Sequence, residues 1–138
     1  MRNRNFKNAL LGIALAIAAA YLYAVLIAVF ILGARGFLVL FSTIPLVALF
    51  YTSWVVIPLG AALGMLIPPL AYGKSRGMAA LQGAASGAAA GLISAVCLTS
   101  AYDLGWGGGF FVYSITAYCA VWVGAYAFYR AKGQSLYR

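Results

Sequence analysis

Four long apolar stretches of this chain contain no Asp, Glu, Lys, Arg or His, and nothing else limits the fold as much. An amphipathic element in water needs a polar face, and these stretches lack the side chains to supply one. Over the whole chain 7% of residues are charged and 66% are hydrophobic, where a soluble domain carries about 25% charged residues. A lipid bilayer is the solvent that such a sequence fits.

The first run, Ala9 to Leu32, follows Arg2, Arg4 and Lys7. A signal peptide has an apolar region of only about 7–15 residues. This run is longer and matches a full span of ~30 Å of hydrocarbon, so it reads as an uncleaved first helix over 9–32. The second run, Gly36 to Tyr72, is too long for one upright crossing and too short for two with a turn. Ser42 and Thr43 suit an N-cap and Pro45 suits a first turn, which sets a helix at 44–69 ending near Pro68-Pro69. Pro58 falls in mid-span, removes one backbone bond and predicts a kink. Tyr51 and Trp54 suit a membrane interface. Residues 36–42 are expected to lie on the outer membrane surface or against a partner. The third and fourth helices are expected at 78–100 and 108–129. A glycine-rich loop around Asp103, the one acidic residue, separates them.

Four crossings bring Arg2, Arg4, Lys7, Lys74, Arg76, Arg130, Lys132 and Arg138 to one side and leave Arg35 alone on the other. By the positive-inside rule both termini are cytoplasmic. The expectation is an all-α integral membrane protein: a single four-transmembrane-helix bundle, N-in and C-in, with a kinked second helix, set in a bacterial inner membrane. The formal net charge of +8 then belongs to headgroup contacts rather than to nucleic acid, since no basic stripe is interleaved with exposed aromatics.

The third helix carries the most specific pattern. Steps of four give Ala79, Gly83, Gly87, Gly91 and Ala95, a double GxxxG or glycine zipper. Lipid provides little hydrophobic drive between helices, so small residues that let backbones meet become the main adhesive. Gly60 and Gly64 on the second helix offer a matching notch, which makes helix two the expected partner. A homo-oligomer or a partner subunit docked on the groove is the alternative, and Ala80, Ala84 and Ala88 form a second small face.

Polar groups inside the spans are hydroxyls and one amide, read mainly as packing contacts. Tyr21, Tyr23 and Tyr118 stand nearest mid-membrane and are candidates to line a small-molecule or lipid groove. Cys97 and Cys119 have no metal spacing, differ in depth by about 10 Å, and read as small buried hydrophobes that stay unlinked. Asp103 and Arg35 are solvated at the headgroups, pair across the outer loops or face a partner. Gly73-Lys74-Ser75 lacks the upstream glycine of a phosphate loop.

With no histidine and one carboxylate, the chain offers no acid/base pair and no oxygen or imidazole cage for a metal. No enzyme activity, metal or cofactor is expected. The first functional expectation is an accessory or assembly subunit of a larger inner-membrane complex, acting through small-residue packing with a membrane-protein partner or homo-oligomer among membrane lipids. The alternative is a homo-oligomeric channel or transporter for an uncharged or lipid-like solute. A third reading is an immunity-type protein against a pore-forming toxin.

Overall fold

A computed structural model of the chain describes residues 2–135, and the expected inside charge Arg138 lies outside them. Four α-helices run antiparallel in chain order: α1 (Arg2–Leu32), α2 (Ile44–Ala71), α3 (Arg76–Tyr102) and α4 (Gly108–Ser135). Each is long and apolar enough to cross a membrane. α1 and α4 extend beyond their apolar runs into the basic flanks, where Lys and Arg are good helix formers and no proline intervenes. α2 continues without interruption through Pro58.

The helix ends follow local chemistry. Gly33 breaks α1 with φ +65°, a left-handed conformation that costs glycine nothing. The chain then winds through a 3₁₀ segment, Gly33–Phe41, which includes most of the residues expected to lie outside the spans. Gly36 seats this segment directly on the backbone of Ala28 and Val29, while Phe37, Leu38 and Phe41 stay exposed. The α2 cap differs from expectation. Thr43 occupies the N-cap position without a side-chain bond, and the Ser42 hydroxyl instead accepts from Ile44 N–H at 3.4 Å. Ser75 caps α3 by accepting from Met78 N–H at 3.4 Å. Asp103 ends α3 in the left-handed region at φ 48°, a role Asp and Asn tolerate better than other side chains.

The helices pair as two hairpins, α1 with α2 and α3 with α4, with far less packing between the pairs. Glycines decide this. A Cβ placed on Gly87 would lie 2.7 Å from Val123 Cβ and would also strike the Cys119 carbonyl; one on Gly91 would lie 2.8 Å from Cys119 Cβ. At Gly83 the obstacles are Ala127 and Val123. The α3 row therefore lies on α4. The expected match between α3 and α2 does not form, because Gly60 and Gly64 are already occupied by α1. A Cβ on Gly60 would lie 2.8 Å from Gly12 O, and one on Gly64 would lie 2.8 Å from Gly12 Cα. Of the second small face, Ala80 and Ala84 also turn toward α4, at Gly124.

Between hairpins the packing is of ordinary side chains and is concentrated at the basic end. Leu63, Ile67, Val123 and Ala127 form one buried cluster, and Ala71, Ala79 and Ala131 form a second. Gly87→Leu is expected to melt clearly lower than the parent in one detergent. Overpacking costs about 1–3 kcal/mol, against roughly 1 kcal/mol gained in helix propensity, and here the obstacle is backbone that cannot rotate away. Leu92→Ile and Val96→Ile, at exposed positions on the same helix, are expected to leave the melting temperature unchanged. An unshifted Gly87→Leu would contradict the hairpin geometry.

Candidate functional site

Large side chains cannot bring the two hairpins as close as glycine brings the helices within each. The gap widens away from the basic end and encloses a partly open chamber of about 500 Å³. This volume falls within the range of small-molecule sites. Its floor is formed by Ala16, Leu59 and Trp122, its sides include Ala20, Ala24 and Ile115, and the more distant Ile31, Leu104 and Phe110 line its outer end. Ile31 and Phe110 are 70% and 57% exposed, which places the mouth at the end that carries the 3₁₀ segment. Among the described residues, no Asp, Glu, Lys or Arg lines the chamber.

Of the three tyrosines singled out in the sequence, two meet here. Tyr23 and Tyr118 line the chamber from α1 and α4, with ring centroids 5.1 Å apart. Tyr118 donates to Ala19 O at 2.6 Å. Tyr23 bonds Ser114 Oγ, and Ser114 in turn donates to Phe111 O at 3.1 Å, so the proton in the first bond comes from Tyr23. Tyr21 does not join them. Two residues along a helix is a turn of about 200°, and Tyr21 instead donates to Leu40 O at 2.8 Å, fastening the 3₁₀ segment to α1.

Ala79, Gly83, Gly87, Gly91 and Ala95 are all buried in the bundle. Gly60 and Gly64 are buried too, on the contact with α1. Neither row faces the outside of the molecule. Gly12 completes the α1–α2 contact and was missed in the sequence. Its signal is modest: Gly12 and Ala16 are small residues four apart, a spacing that recurs along α1.

Polar bonds supplement the thin packing between hairpins. Tyr102 donates to Tyr51 O at 2.6 Å and accepts from Trp54 Nε1 at 3.2 Å, joining α2 to α3 at the end that carries the 3₁₀ segment. Arg130 Nη2 donates to Asn8 Oδ1 at 3.2 Å, joining α4 to α1 at the basic end, while its Nε donates to Tyr126 at 3.0 Å. Lys74 bonds Gln82. Asn8 and Tyr102 carry no motif, which is why sequence reasoning passed over them.

The chain matches no family model, no characterised protein and no solved structure.

Cys97 and Cys119 are both free. Cys97 is exposed rather than buried, because it stands two residues, about 200°, from Ala95 on the buried row. Cys119 is half-buried, on the chamber wall and against Gly91. Alkylation of the denatured, unreduced protein is expected to label both thiols in the intact mass. An unlabelled species lighter by two hydrogens would reveal a disulfide and contradict the helix registers.

Proposed function

We propose that this chain is an integral membrane protein, with no enzymatic activity, that holds an uncharged, lipid-like molecule between its two helical hairpins. The observation that carries the reading is the chamber: about 500 Å³, lined by no charged side chain among the described residues, with Tyr23 and Tyr118 side by side on its wall. The solute is the one expected of a channel or transporter, but the site lies within a single chain and does not need a ring of copies. An accessory-subunit role draws less support. It drew in part on the extended small-residue face, and Gly83, Gly87 and Gly91 meet α4. An immunity role gains no support from any contact described above.

The proposed setting is a bacterial inner membrane with both termini cytoplasmic. The basic residues support this: Arg2, Arg4, Lys7, Lys74, Arg76 and Arg130 fall at the α1 start, the α2–α3 loop and the end of α4, and Arg35 at the opposite end. The chamber mouth then faces the periplasmic leaflet. Pro58 is proposed to bend α2 along the chamber wall, since its ring leaves the Trp54 carbonyl without its helical donor.

Two measurements test the proposal. A reporter active only in the periplasm should be active when inserted at 103–107 and silent when fused after Tyr129; the opposite pattern would overturn the orientation. Ala20→Phe combined with Ala24→Phe places two rings in empty space. This double variant should fold, and it should lose the rise in melting temperature that added lipid extract gives the parent. That rise follows from binding to the folded state alone. An equal rise in the filled variant would remove the chamber from the function.

A further inference from the structure

We propose that the chamber selects a neutral lipid bearing a hydroxyl group, and that Tyr118 and Trp122 hold that hydroxyl. This rests on the chamber being a binding site, as argued above, and adds the chemistry of its occupant.

Every hydroxyl on the chamber wall gives its proton to the protein. Tyr118 donates to Ala19 O, Tyr23 to Ser114, Thr52 to Ala48 O and Ser94 to Ala90 O. Their oxygens retain lone pairs, so the wall accepts hydrogen bonds but its hydroxyls offer none. Among the described side chains that line the chamber, the N–H donor left is the indole of Trp122, which has no hydrogen-bond partner among the described residues. Trp122 lines the chamber together with Tyr118. The two are four residues apart on α4, a spacing that places side chains on one face of a helix. The indole donor on the wall thus stands one helical turn from one of its acceptors, the Tyr118 oxygen.

A hydroxyl matches this pair completely, donating to the Tyr118 oxygen and accepting from the Trp122 N–H. A carboxylate or phosphate only accepts. It would find one strong donor, and its charge would have no counter-charge in the chamber, an expensive burial. An ammonium group would bring its charge to a wall with no anion. A plain hydrocarbon fills the space but leaves the indole N–H unsatisfied, which costs affinity without preventing entry. The rest of the cavity suits a tail. From Tyr23 to Ile31 the helix rises about 12 Å, and the residues between them on the chamber wall, Ala24 and Ile27, are apolar.

The test uses the full chain in lipid nanodiscs with Trp54→Phe and Trp106→Phe, which leaves Trp122 as the sole tryptophan of three. The probes are an alcohol, a carboxylate kept ionised and a hydrocarbon of equal chain length, each with bromine a few carbons from the head, where it quenches a nearby indole. The alcohol should quench saturably, with a half-saturating concentration at least about tenfold below that of the carboxylate. Tyr118→Phe should raise the value for the alcohol about fivefold and leave the hydrocarbon unchanged, which separates loss of the hydrogen bond from loss of the chamber. Ala20→Phe with Ala24→Phe should abolish saturable quenching by all three. Saturable quenching by all three with no preference for the alcohol, or a preference that survives Tyr118→Phe, would overturn the assignment of the hydroxyl while leaving the chamber as a site. Absence of saturable quenching, or quenching indifferent to the filling variant, would overturn both.

Discussion

Backbone against backbone is the contact on which the rest of this structure depends. Gly12 crosses Gly60 and Gly64, and the row Gly83, Gly87, Gly91 lies on α4 at distances where no Cβ would fit. In lipid, hydrocarbon outside a helix is as apolar as a leucine beside it, so association relies on close dispersion contact and on hydrogen bonds. Glycine rows provide the first of these, and they do so selectively. The loop between α2 and α3 is as short as the one between α3 and α4, yet α2 and α3 pack only lightly. Chain connectivity therefore does not choose the partner; the small faces do.

The chamber is the consequence. Two tight hairpins expose ordinary side chains to each other, and such surfaces stand farther apart than glycine rows. At the basic end Ile67 and Val123 fill the space almost without residual exposure. Farther along, alanines occupy much of the α1 wall at 16, 19, 20 and 24, and they are too short to reach across. The same small residues that permit close approach leave a void where no partner backbone arrives.

Hydrogen bonds join the hairpins at and around that void, and most of them come from tyrosines. A phenol suits this position: the ring fills part of the gap and the hydroxyl reaches a main-chain oxygen, which has a lone pair to spare beyond its helical bond. Tyr118 on Ala19 O and Tyr102 on Tyr51 O both have this form. Interhelical bonds in membranes are worth about 0.6 kcal/mol on average. A few of them align the hairpins without making the junction as firm as the glycine contacts within each.

How much of this was legible in the residues differs by kind of feature. The four helices and their order were, because charge-free runs between basic clusters are long-range statistics that no single side chain can overturn. The α2 start at Ile44 was legible from Pro45 and its neighbours. The spacing of Gly83, Gly87 and Gly91 marks a small face, and the structure buries all three. The choice of α4 as their partner, and of α1 for Gly60 and Gly64, was not, since a small face accepts any small or shallow surface of matching slope. The pairing of Tyr23 with Tyr118 depends on residues 95 positions apart and on the rotation of two helices about their axes; a periodicity fixes which residues share a face, but not what that face meets. Sequence alone determined what each helix is made of and which side of it is small. The tertiary structure decided which small sides meet, and so where the chamber lies, because docking is set by the best mutual fit among all four helices at once.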